Sequence, residues 1–193
     1  MCLSRHGKDL GEVISSLQLK KRILLGHSMG ASTIWAYLSL YGDNNVRAVI
    51  TEDQVPTMLR DDNWPFGIFN ADISTVLPAI EKLPHTKLTC LKISTEIKGT
   101  LSQAYQPFDF QLNAPLLLNS AIQDWRDVVI REQVPHLFLA GGESPLWPAD
   151  HAKFASKMAP YGQYHVFDGV GHIPHIEAPD DFNQIILNFI HTL

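Results

Sequence analysis

Two stretches of the chain hold residues whose types and spacing could do chemistry. Gly26-His27-Ser28-Met29-Gly30 fits the pattern G-x-S-x-G, between a short apolar run at Arg22 to Gly26 and residues of helical spacing. A serine on so tight a strand-to-helix turn requires small neighbours two residues before and two after it. The helix that follows points its free N–H groups at any negative charge developing near the serine. A chance glycine-rich turn is the alternative, and the strand-then-helix context disfavours it. A serine nucleophile needs a base, and the base needs an orienting acid. The best histidine is His172, in Asp168-Gly169-Val170-Gly171-His172-Ile173-Pro174-His175. That loop follows the last expected strand, where open α/β sheets place ligands. His175 competes for the role but reads better as a packing or surface histidine. His27, inside the turn, reads as structural. The chemistry indicated is covalent acyl transfer through Ser28.

The surrounding pattern must position these residues. Leu10, Val13, Ile14 and Leu17 have the spacing of a helix with one buried stripe. Arg22–Gly26, Val46–Thr51, His136–Ala140 and Tyr164–Phe167 read as short strands buried on both faces. Ala31, Ile34, Trp35 and Leu38 form a helix that Gly42 should stop. Phe182, Ile185, Ile186, Phe189 and Ile190 form a last amphipathic helix, started by Asp180 or Asp181. Alternating strands and helices predict an α/β fold with a mostly parallel sheet flanked by helices.

Residues 57–130 break that rhythm. They carry Trp64, Phe66, Phe69, Tyr105, Phe108, Phe110 and Trp125, and helical patterns such as Ile73, Val76, Leu77 and Ile80. A further piece of core is one reading. The clean return of the strand pattern at Val134 favours an inserted helical cap. The expected division is therefore 1–56, a partial core with the serine turn; 57–130, the cap; and 131–193, the rest of the core.

Composition excludes several classes. The chain has 193 residues, 45% hydrophobic and 18% charged, enough apolar mass for a real core and too much for disorder. A net charge of −5 argues against nucleic acid as partner. No apolar run approaches the roughly 18–20 residues of a membrane span. The first residues, Met1 to Gly7, lack the apolar core of a signal peptide. Two cysteines, Cys2 and Cys90, make no disulfide framework, so a cytoplasmic setting is expected. His172 and His175 lack the further ligands of a metal site, and Gly169 and Gly171 are too few for a nucleotide loop, so no cofactor or metal is expected.

The Gly26–Gly30 turn, the Gly171-His172 loop and the closing Glu177-Ala178-Pro179-Asp180-Asp181-Phe182 resemble the α/β-hydrolase superfamily. Within it, Ser28 to Ser32, Ile34-Trp35, Asp53-Gln54-Val55-Pro56 and Asp62-Asn63-Trp64-Pro65 are similar to small serine esterases and cofactor-free haloperoxidase-like hydrolases. The resemblance implies a triad in the order nucleophile, acid, histidine. The acid's usual family position, a few residues past Gly141, holds Ser144, which cannot orient an imidazolium. Other members carry it after the preceding strand, where this chain has Thr51-Glu52-Asp53. Asp53 is the expected acid, Glu143 the alternative, and Glu52 a lesser one; a solvated or capping role for Asp53 is the bland reading. The Met29 N–H is the oxyanion donor the resemblance implies.

The family has several strands ahead of the serine turn, and one of their loops supplies half of the oxyanion hole. Here 21 residues precede Arg22, a shortfall of roughly 60 or more at 30 residues per βαβ unit. The expectation is a hydrolase fold incomplete at its N-terminus. Its sheet should hold four or five strands, with the Ser28 strand at an edge and Ile23, Leu24 and Leu25 bare. Such an edge invites self-association. The function expected is a serine hydrolase acting on a small carboxylic ester, or on peroxide by the same acyl-enzyme. The alternative is a truncated, inactive hydrolase-like binding protein.

Overall fold

The uninterrupted apolar runs at Ile23–Leu25, Ala48–Ile50 and Leu137–Ala140 all become strands, the last two covered on both faces. In the computed structural model, which describes residues 2–104 and 106–193, the strands are β1 (Arg22–His27), β2 (Val46–Glu52), β3 (His136–Gly141) and β4 (Gly162–Phe167). Met1 and Tyr105, the latter assigned to the expected cap, lie outside the described residues. The strands pair in chain order β1-β2-β3-β4, all parallel. β1 is therefore an outer strand, in register with β2 from Arg22–Val46 to His27–Glu52.

Nine helices are placed around this sheet among the described residues. They are α1 (Leu3–Ser16), α2 (Met29–Tyr41), α3 (Val76–Lys82), α4 (Thr95–Ala104), α5 (Ala114–Ala121), α6 (Arg126–Arg131), α7 (Asp150–Ser156), α8 (Pro174–Glu177) and α9 (Pro179–His191). On one face α9 packs Phe182 and Phe189 over Ala48, Ile50, Leu137, Leu139 and Phe167. On the other, Leu24, Val49, Phe138 and Ala140 meet α1, α2 and α7. α2 lies between β1 and α1, which explains why Ala31 to Leu38 are buried apart from Thr33. Gly42 ends it with φ 69°, a left-handed stop open to glycine.

Three details depart from the sequence reading. In α1 the buried positions are Leu3, Gly7 and Ile14, while Val13 and Leu17 are 51% and 62% exposed. The cause is a backbone-to-backbone crossing: a Cβ on Gly7 would stand 2.7 Å from the Ala36 carbonyl carbon and the Tyr37 nitrogen. That crossing turns the Gly7 side inward and swings Val13 and Leu17 out. In β1, Leu24 is buried rather than bare, because alternation sends it to the α1/α2 face, while Leu25 on the opposite face is exposed. α9 starts at Pro179, so Asp180 and Asp181 sit in its first turn instead of capping it. Their charge still favours that end of the helix dipole.

The chain between β2 and β3 holds α3 to α6 and two short 3₁₀ turns. Its ends are tied together, for Thr57 bridges Asp124 and the Trp125 N–H donates to the Pro56 carbonyl at 2.8 Å. Trp64, Ile68 and Leu116 join the same apolar cluster as α1 and α2, and the Leu3 N–H donates to Asn119 Oδ1 at 2.8 Å. No helix among the described residues is long and apolar enough to cross a membrane.

Candidate active site

β1 ends at His27 and α2 begins at Met29, which leaves Ser28 alone to make the turn. Its backbone takes φ 53° and ψ −128°, strained for a residue with a side chain, and its N–H donates to the Glu52 carbonyl at 2.9 Å. A Cβ on Gly26 would lie 2.6 Å from the Gly30 carbonyl carbon and 2.7 Å from the Ala31 nitrogen. A Cβ on Gly30 would meet nothing within 4 Å. The expected need for small residues on both sides of Ser28 thus holds at Gly26 and not at Gly30. Gly30→Ala is expected to raise stability by about 0.5–1 kcal/mol, since alanine costs less entropy in a helix. Gly26→Ala should lower the melting temperature by several degrees or more. Thermal melting of both variants checks the pair, and equal effects would refute the packing argument.

The Ser28 turn, the end of β2 and the loop after β4 converge at the C-terminal edge of the sheet. His172 is 2% exposed. Its Nε2 lies 3.0 Å from Ser28 Oγ and its Nδ1 2.6 Å from Asp53 Oδ2. A carboxylate only accepts, so Nδ1 carries the proton and Nε2 is free to accept from the serine hydroxyl. Asp53 is fully buried. Its Oδ1 accepts the Gly141 N–H at 2.9 Å, and its Oδ2 also accepts the Ser144 hydroxyl at 2.6 Å. A second imidazole, His151, brings Nε2 to 3.7 Å from Asp53 Oδ1, beyond hydrogen-bond length. Burial pushes the Asp53 carboxyl up, but His151 and His172 outweigh it and hold the group far below the usual carboxylate range.

The other sequence candidates fall elsewhere. Glu143 is exposed, and its carbonyl accepts from Cys90 Sγ at 3.4 Å. Glu52 is buried and turned away from His172: its Oε1 accepts the His175 N–H at 2.9 Å and faces His175 Nδ1 at 2.8 Å. His175 is thereby anchored as a packing residue. The His27 ring stands 4.7 Å from the His172 ring and 5.1 Å from that of His175. Burial, then the neighbouring His172, lowers its pKa, and neutral His27 donates from Nε2 to the His172 carbonyl at 2.8 Å. Met29 is the first residue of α2, where N–H groups have no intrahelical partner. Among the described residues no group of three or more His, Cys, Asp or Glu is arranged to hold a metal ion.

Three contributors escaped the sequence reading. In the sequence Ser144 reads only as the place of an absent aspartate, yet its hydroxyl reaches the Asp53 carboxylate. His151 carries no local signal, because helix α7 brings it in from beyond β3. Glu177 accepts the N–H of Cys90 at 2.6 Å and of Leu91 at 2.7 Å on Oε2, and the N–H of Gly171 at 3.1 Å on Oε1. It ties the chain ahead of α4 to the His172 loop.

This arrangement of sheet, turn and loop has counterparts in known proteins. A profile described as the alpha/beta hydrolase family matches residues 4–185. The chain belongs to that family. Among curated relatives, the Escherichia coli (strain K12) protein named esterase YbfF is 24% identical over 191 residues, covering 95% of this hydrolase and 73% of the relative. Across such relatives the chain spans between 62% and 73% of their length. Two solved structures share the fold. The esterase RhEst1 from Rhodococcus sp. ECU1013 aligns with TM-score 0.72 at 23% identity, over 97% of this hydrolase and 72% of that chain. The bromoperoxidase from Bacillus anthracis aligns with TM-score 0.69 at 18% identity, over 96% and 72%.

Proposed function

We propose that this hydrolase is a serine esterase that cleaves a small carboxylic ester through an acyl-enzyme. The observation that carries the reading is the continuous line from Ser28 Oγ through the His172 ring to the buried Asp53 carboxylate, at 3.0 and 2.6 Å. Ser28 Oγ attacks the ester carbonyl while His172 Nε2 takes its proton. Asp53 holds the imidazole in the required tautomer and balances the imidazolium. The Met29 N–H at the start of α2 donates to the oxyanion of the tetrahedral intermediate. Collapse expels the alcohol, which receives its proton from His172. Water, activated by the same nitrogen, then attacks the acyl group and frees Ser28. Relatives named as esterases support the ester as the bond cleaved. A shallow cavity of about 340 Å³ of mixed polarity, bordered by Phe69, Asn70, Glu143, Ser144, Leu146 and Trp147, lies beside the Asp53 partner Ser144. Residues 57–130 serve as the cap over this site.

The test is covalent labelling with a fluorophosphonate, which reports an activated serine without knowledge of the substrate. The expected result is a single adduct on Ser28 with hydrolysis of short nitrophenyl esters. A folded protein that takes no label would overturn the reading and favour a hydrolase-like binding protein.

A further inference from the structure

The chain carries a net charge of −5, yet residues 82–98 hold Lys82, Lys87, Lys92 and Lys98 with Glu96 as the lone carboxylate between them. Lys87, Lys92 and Lys98 border one cavity of about 300 Å³, together with Cys90 and Leu91. Among the described residues, none of these three lysines makes an ion pair. The three lysines are exposed, and three like charges bordering one space favour an anion among them. The space would hold a carboxylate or a phosphate with several waters, at about 30 Å³ per water.

The cavity is also fastened to the catalytic base. The Leu88 carbonyl accepts the His172 N–H at 2.8 Å. Glu177 grips Cys90 and Leu91 with one oxygen and Gly171 with the other. The contact is so close that a Cβ on Gly171 would stand 2.6 Å from the Leu88 carbonyl oxygen and 3.0 Å from the Cys90 nitrogen. The backbone that carries these lysines is therefore held at a fixed place relative to His172. We propose that Lys87, Lys92 and Lys98 form an anion pocket that selects esters carrying a carboxylate or phosphate group. This rests on the esterase reading and names the substrate class for it.

The test compares esters that differ in charge. On the acyl side, 4-nitrophenyl glutarate is set against the neutral hexanoate. On the alcohol side, the butyrate of 4-hydroxybenzoate is set against phenyl butyrate. For at least one pair, the anionic-to-neutral ratio of kcat/KM should fall at least tenfold in Lys87→Met/Lys92→Met/Lys98→Met. It should also fall with added salt, because exposed charges are screened over about 8 Å at physiological ionic strength. Lys157→Met, a charge change just past α7, should leave the ratio alone. Ratios within twofold of the parent for both pairs overturn the proposal.

A second readout needs no turnover. Glutarate, or inorganic phosphate in a parallel arm, should slow alkylation of Cys90 by iodoacetamide at least threefold, with Cys2 as internal reference. The arm that protects identifies the anion. If no ester is hydrolysed, the esterase reading fails and the thiol decides for the pocket. Protection that disappears in the triple variant supports an anion site, and no protection overturns it.

Discussion

Ser28→Ala is expected to lower ester turnover by about 10⁶-fold, the scale seen when a serine protease loses its nucleophile. The loss is large because the other parts of the line act only through Ser28 Oγ. Without it, His172 has no proton to take, and any acyl transfer must use a water that the turn does not position. KM should change little, since Oγ contributes no more to the ground state than a hydrogen bond. The protein should melt close to the parent, because alanine inherits the same backbone at φ 53° and the Ser28 N–H still reaches the Glu52 carbonyl. Steady-state kinetics on a short nitrophenyl ester check this. Turnover within threefold of the parent would remove Ser28 from the chemistry.

Asp53→Asn is expected to cost about 10⁴ in kcat, as the equivalent change does in serine proteases. The local geometry explains why rescue is blocked. Gly141 donates to Oδ1, so an asparagine keeps its oxygen there and turns its NH₂ toward His172 Nδ1 and the Ser144 hydroxyl. Nδ1 must then accept, Nε2 carries the proton, and the imidazole can no longer take one from Ser28. Glu143→Gln should stay within threefold of the parent, since that side chain is exposed. Reversed magnitudes would place the acid after β3. Stability provides a second check. With its pKa depressed in the fold, Asp53 stabilises the native state above the ordinary carboxylate range. That contribution is lost progressively as the pH falls toward the group's own lower value. The variant should accordingly lose less stability than the parent on acidification below about pH 4.

Most of the scaffold was legible because short apolar runs alternate with helical spacing, although only β2 and β3 are covered on both faces. The Ser28 turn was legible because glycine spacing, strand and helix coincide within a few residues. Asp53 was legible as a candidate from its place just past β2, and the structure sets its carboxylate beside the His172 ring. What stayed hidden depends on approaches between distant segments. Ser144 and His151 reach Asp53 from 91 and 98 positions along the chain, and no periodicity announces that. Nor does any local pattern say that Glu177 will take three backbone N–H groups from two different loops. The exposure of Val13 and Leu17 has the same origin, for it follows from how closely Gly7 meets α2. Gly30 shows the reverse error: a pattern residue can match without any steric demand behind it.

The all-parallel order β1-β2-β3-β4 has a kinetic consequence. No neighbouring pair can zip from a hairpin, so every strand waits for its crossover, and the pairing contacts are long in sequence. His172 lies 144 residues from Ser28 and 119 from Asp53. Loop-closure entropy must therefore be met across nearly the whole chain before the three groups touch. On refolding, helical signal is expected to return early and fluorophosphonate labelling, the test proposed for Ser28, last, so that labelling would time the final docking of β4 and the His172 loop.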